Sequence, residues 1–118
     1  MTNDEIGMTK EKILETVKAA IADRWEERNH HGINPRETLV EPKKIVLIFR
    51  KVKDGQVIDS HLAAWLILEE RPLEKNGYKI VASEDGLMFG LASAGFKTDR
   101  YPILVGWYGS FWSAFHSM

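Results

Sequence analysis

The chain has 118 residues, of which 44% are hydrophobic and 28% are charged, as is ordinary for one globular domain spanning residues 1–118. A formal net charge of −1 argues against a dedicated nucleic-acid-binding protein, whose affinity usually rests on an excess of Lys and Arg. The absence of cysteine excludes disulfide scaffolds, thiolate metal sites and cysteine nucleophiles.

The beginning of the chain is not expected to be a secretory signal. Residues 1–8 are expected to fray, and they are acidic and lack the apolar segment of a secretory signal. No run of about eighteen apolar residues predicts a transmembrane helix. We therefore expect a cytoplasmic protein that does not associate with a membrane.

The first predicted element is an amphipathic helix that begins after Thr9, a good N-cap residue. Apolar residues recur along one helical face, and Gly32 is the expected stop. The members of that face are Ile13, Leu14, Val17, Ile21 and Trp25. Residues 33–43 contain two prolines and are interpreted as an irregular connection.

A run of β-branched and aromatic residues at 45–49 predicts a central strand. Asp54-Gly55 is a strong hairpin signal, so a return strand is expected to start at Val57. Residues 59–70 fit either a helix or a strand. We favour the strand because the hairpin and the dense apolar run at 65–68 both support it.

The remaining strands are short and separated by turn residues. The alternating segment 78–82 predicts a strand, and Asn76-Gly77 makes the turn before it. The turn at 84–86 leads into a further strand at 87–91. A loop with Gly, Asp and Pro follows, and 103–105 is the expected last strand.

The segment 101–118 carries no Asp, Glu, Lys or Arg and holds six of the twelve aromatic residues. On a helical wheel, five aromatic residues form one side and small serines form the other. Those five are Trp107, Tyr108, Phe111, Trp112 and Phe115. Gly106 and Gly109 weaken the start, so the helix is expected to begin near Ser110. This face could serve as core or as an interaction surface, and both interpretations stay open.

The pair formed by Asp59 and His61 is the most catalytic-looking in the sequence. On a strand the two side chains share a face, so the carboxylate could orient the imidazole. No serine lies in a nucleophile-elbow motif. A solvent-facing polar strand start explains these residues as well. We therefore assign no catalytic residue and keep the pair as a weak candidate.

Other charged and polar clusters give weaker signals. The adjacent His30 and His31 diverge on a helix, so no metal site is predicted. Glu69-Glu70 and Glu84-Asp85 supply carboxylates near predicted strand ends, where solubilising turn residues explain them. No glycine-rich phosphate loop is present, so no nucleotide or other cofactor is predicted.

The predicted hairpin 43–53 is locally basic. Its weak candidate contacts to phosphate are Arg50, Lys51 and Lys53. Charged residues that protect a sheet edge from aggregation explain the same pattern. Nucleic acid is therefore the last of the partners that we consider.

The sequence as a whole predicts an α+β fold. An N-terminal amphipathic helix precedes an antiparallel meander of four to five strands, and a short aromatic C-terminal helix completes two layers. The expected function is that of a small non-enzymatic accessory or interaction protein. It would bind another protein, or form a homodimer, through the aromatic C-terminal surface. One alternative is a small-ligand-binding or hydrolytic domain with a helix–sheet pocket near His61 and Asp59. The other is a nucleic-acid-associated protein that uses the basic hairpin.

Overall fold

The computed structural model describes residues 9–71, 76–95 and 99–118. Its elements in chain order are α1 (Lys10–Ile21), α2 (Pro35–Thr38), β1 (Leu39–Lys53), β2 (Gln56–Arg71), β3 (Asn76–Ser83), β4 (Phe89–Ser93), β5 (Ile103–Gly109) and α3 (Phe111–His116). The α+β class, the N-terminal helix and the short C-terminal helix are confirmed. The frayed start expected at residues 1–8 lies outside the described residues.

The five strands close into a barrel in the order β1-β2-β3-β4-β5. Consecutive strands are antiparallel, and β1 meets β5 in parallel at Ile48 and Ile103. The Ile48 amide donates to the carbonyl oxygen of Pro102 at 2.8 Å. The expected antiparallel order of the strands is therefore right, but the sheet closes into a barrel and is not the plain meander in two layers that the sequence predicted. Closure joins the first and last strands, and no local pattern encodes such a long-range pairing.

The β1–β2 hairpin is the longest feature of the sheet. Asp54 and Gly55 have φ values of 52° and 75°, as a two-residue type I′ turn requires. Cross-strand pairing then runs from Lys53 opposite Gln56 back toward Leu39. Residues 59–70 lie within β2, which confirms the strand interpretation over the helix.

The inside of the barrel is filled by one buried residue from each strand. These are Leu47, Ala64, Val81, Ala92 and Leu104. Two of the five are alanines, as a narrow five-strand interior favours. The Trp107 ring packs against this cluster and lies over Gly90.

A second core covers the outer face of β2, β3 and β4 and lies beneath the two end helices. Helix α1 contributes Ile13, Val17 and Ile21, and its N-cap Thr9 accepts a hydrogen bond from the amide of Lys12. Because α1 and α3 share this cluster, both pack on the same side of the sheet.

Several predicted boundaries are wrong. Helix α1 ends at Ile21 rather than near Gly32 because Ala22, with φ 58°, leaves the helical conformation. Trp25 consequently lies beyond the helix. The connection predicted to be irregular contains α2, whose N-cap Asn34 accepts from the amide of Glu37. Strand β4 begins at Phe89, two residues later than expected.

Candidate functional site

The most distinctive surface of the barrel is the part of the β1–β2 hairpin that leaves it. Among the described residues, strand β1 pairs with β5 only at Ile48, and β2 pairs with β3 only from Ala64 onward. Between these points the two strands pair with each other, and no third described strand joins them. We call residues 49–60 the hairpin arm. Its outer backbone edges pair with none of the described strands, and free edges of this kind are templates for pairing with another chain.

The hairpin arm exposes four large apolar side chains. Their exposed fractions are 45% for Phe49, 71% for Val52, 64% for Val57 and 38% for Ile58. Val52 lies directly opposite Val57 on one face of the ribbon, whereas Phe49 and Ile58 lie on the other. Both faces of the arm therefore offer apolar surface to solvent.

An ion-pair cluster fixes the arm to the segment that precedes β5. The guanidinium of Arg50 binds both carboxylate oxygens of Asp59 at 2.8 Å each, and it also reaches Oδ1 of Asp99 at 2.8 Å. The hydrogen bonds from Asp59 and then Asp99 raise the pKa of Arg50. The same guanidinium lowers the pKa of Asp59. This bidentate geometry makes the link directional as well as electrostatic.

The predicted pair Asp59 and His61 is thus placed on one ribbon face, but each member has another partner. Both oxygens of Asp59 bind Arg50. The exposed His61 ring meets Tyr101 edge-on, with 5.7 Å between centroids. Neither residue lines the two cavities described below. The geometry therefore offers no orienting contact between this carboxylate and this imidazole.

Fewer cationic side chains of the basic hairpin are available to bind phosphate than the sequence suggests. Arg50 is held by two carboxylates, and Lys44 pairs with Glu84 at 2.8 Å. Lys51 and Lys53 are exposed, and neither forms an ion pair within residues 9–71, 76–95 and 99–118. Two exposed lysines can neutralise only a few phosphates, so they support only weak binding to a nucleic-acid backbone.

The aromatic residues of the C-terminal segment are divided between two elements. Phe111 and Phe115 lie on α3 and are 1% and 0% exposed. The half-buried Trp112 donates its indole N–H to the Ala20 carbonyl at 3.0 Å, and the Arg24 guanidinium lies 4.0 Å from its ring centroid. Much of the predicted aromatic face therefore packs within the monomer.

The other two residues predicted on that face, Trp107 and Tyr108, belong to β5 and not to a helix. Trp107 is half-buried against the barrel interior. Tyr108 is 38% exposed. The predicted helix start near Ser110 is confirmed, since Ser110 is the N-cap of α3.

Two cavities open on the surface near the start of β5. The larger, about 370 Å³, is lined by residues that include Lys43, Ile45, Leu66, Glu69, Lys79 and Tyr101. The smaller, about 300 Å³, is lined by residues that include Tyr78, Ser93 and Ile103. Sequence reasoning missed the pairing of Glu69 with Lys79. The available signal was that Lys79 alternates in phase with Val81, a position that faces the interior of the barrel.

Within the described ranges, no group of three or more His, Cys, Asp or Glu side chains is arranged to hold a metal ion. In the same ranges, no helix is both long enough and apolar enough to cross a membrane. No family model matches the chain, and comparison with curated proteins and with solved structures found no match.

Proposed function

We propose that this chain is a non-enzymatic interaction protein that pairs with a second copy of itself through the hairpin arm. The observation that supports the proposal is the arm itself, which leaves the barrel with free strand edges and four exposed apolar side chains. The proposal moves the contact surface away from the C-terminal segment because Phe111 and Phe115 are buried within the monomer.

The energetic reason for a partner is the poor intrinsic stability of a ribbon. A two-stranded hairpin is marginally stable in water unless a third strand or another layer covers it. Within the part of the chain that the structure describes, no third strand pairs with the arm beyond Ile48 and Ala64. A second arm laid along it would supply strand edges to pair with and apolar side chains to cover Phe49 and Ile58.

The charge of the arm permits contact between two arms. The arm has three cationic residues and two carboxylates, a net charge of only +1, so the repulsion between two exposed arms is weak and is screened by salt. Nucleic-acid binding has less support, because two carboxylates hold Arg50.

Sedimentation velocity over a dilution series from about 1 µM to about 1 mM tests the proposal, a range that covers weak and moderate affinities. The test variant is Phe49→Ser with Ile58→Ser, which removes apolar surface from one ribbon face. The matched control is Leu87→Ser, because Leu87 is 77% exposed in the turn before β4 and lies outside the arm. Circular dichroism checks that all three proteins fold.

The wild type is expected to dimerise as its concentration rises. The double variant should dimerise at least about tenfold more weakly, a change of about 1.4 kcal/mol. The Leu87→Ser variant should behave as the wild type does. A wild type that stays monomeric at every concentration refutes the proposal. So does an equal loss of dimer in the Leu87→Ser control.

A further inference from the structure

The larger cavity contains an ion pair whose two members are too far apart for a hydrogen bond. The ammonium Nζ of Lys79 lies 3.8 Å from Oε2 of Glu69. Charge-assisted N–H···O hydrogen bonds in proteins are typically 2.7–2.9 Å long. Lys79 is only 7% exposed. Within the described residues, Oε2 of Glu69 is buried and has no hydrogen-bond partner.

The sheet register explains why these side chains meet in the cavity. Glu69 is directly opposite Lys79 in the β2–β3 ladder, so the two share a face of the sheet. Lys79 alternates in phase with Val81, which belongs to the barrel interior. The pair therefore lies on the inner side of the barrel wall and lines the cavity.

The rest of the lining defines what could occupy the space. Ile45, Leu66 and Tyr101 supply apolar surface, and Lys43 supplies a second cation on the same face of β1 as Ile45. Binding sites for small molecules commonly combine such apolar walls with a few convergent polar groups, and their volumes start at about 300 Å³. The volume here is about 370 Å³.

From this geometry we propose that the cavity binds a small hydroxy acid with an apolar body. The carboxylate of the ligand accepts hydrogen bonds from the ammonium of Lys79. Its hydroxyl donates to the carboxylate of Glu69, whose Oε2 accepts no hydrogen bond within the described residues. The apolar body lies against Ile45 and Leu66. Two lysines against one carboxylate in the lining leave a net positive charge, which favours a monoanion.

The inference is independent of self-association, because none of its residues belongs to the hairpin arm. Buried polar groups without partners discriminate strongly between ligands that satisfy them and ligands that do not. A ligand that keeps the carboxylate but lacks the hydroxyl leaves Glu69 unsatisfied. That difference supplies the test.

The test is a titration followed by the ¹H–¹⁵N chemical shifts of the Leu66 and Lys79 amides. Phenyllactate is the probe, and phenylpropionate is the matched ligand that lacks the hydroxyl. The test variant is Glu69→Met with Lys79→Met. It removes both charges together, because a Lys79→Met change alone would leave a buried carboxylate unpaired. The control variant is Lys51→Met, which removes a lysine charge on the arm.

Wild type and Lys51→Met are expected to bind phenyllactate saturably and about tenfold more tightly than phenylpropionate, a difference of about 1.4 kcal/mol. The double variant should lose this preference. The absence of saturable phenyllactate shifts in the wild type overturns the proposal, as does undiminished binding by the double variant. Should the double variant fail to fold, the comparison of the two ligands on the wild type still decides the matter. Equal affinity for them then refutes the proposed role of Glu69.

Discussion

Replacement of Phe111 by Ala tests whether the C-terminal aromatic residues stabilise the monomer. The ring of Phe111 meets Phe89 edge-on with 5.8 Å between centroids, and it stacks on Phe115 at 5.7 Å. It also meets Trp112 edge-on at 5.1 Å. Since the side chain is 1% exposed, its removal opens a cavity between α3 and the outer face of the sheet.

The expected cost follows from burial and cavity formation. Transfer of a buried Phe side chain from water is worth about 1.5–3 kcal/mol. The cavity left behind raises the typical loss for Phe→Ala in a core to about 3–5 kcal/mol. For a urea dependence of about 2 kcal/mol per M, the unfolding midpoint should fall by about 1.5–2.5 M.

Urea unfolding followed by far-UV circular dichroism measures this change. Tyr108→Ala is the control, because Tyr108 is an aromatic residue of the same segment that is 38% exposed. It should lose less than about 1 kcal/mol. The reasoning is refuted if Phe111→Ala loses no more stability than Tyr108→Ala. In that case the buried aromatic cluster would not be a main source of monomer stability.

Two further predictions concern the sheet. Gly90→Ala should destabilise by about 1–3 kcal/mol, since an added Cβ would lie 2.7 Å from Cε3 of Trp107 and would overpack the barrel. Gly106→Ala is the control, because its added Cβ would lie 3.9 Å from the nearest atom, Cε2 of Tyr108. Thermal melts compare the two variants, and equal losses of stability would contradict the packing argument. Burial raises the pKa of Glu70, but hydrogen bonds from the Tyr78 amide and from His31 outweigh it, so the pKa lies below its ordinary value of 4.5. Glu70→Gln should therefore cost about 1–2 kcal/mol above pH 4.5, and the difference from wild type should vanish as the pH falls through the folded-state pKa. Urea unfolding at several pH values measures this, and a difference that does not change with pH would show that the ionised carboxylate contributes nothing.

Local signals were enough to predict most of the secondary structure. Thr9 and Ser110 cap helices where a hydroxyl can accept from a free amide, and such caps act within a few residues. Asp54-Gly55 makes the predicted turn because both residues adopt positive φ. The end of α1 was missed because Ala22, an ordinary helix former, takes a positive φ that its residue type does not suggest.

The candidate sites were harder to predict, because their residues come together through strand register. The sequence offered Asp59 beside His61, but pairing across β1 and β2 gave Asp59 to Arg50 instead. The alternation of Lys79 with Val81 could place Lys79 on the inner face, but it could not identify Glu69 as its partner, because the two become neighbours only when β2 and β3 align.

The sequence by itself determined the α+β class, the order of the strands, the hairpin turn and the start of each end helix. These features depend on propensities, capping and periodicity over a few residues. Only the tertiary structure decided that the sheet closes, that Phe111 is core, and that the hairpin arm exposes four large apolar side chains. Those outcomes depend on which distant surfaces pack together. A periodic pattern indicates that one side of a helix or strand is apolar, but it does not indicate which part of the chain covers that side.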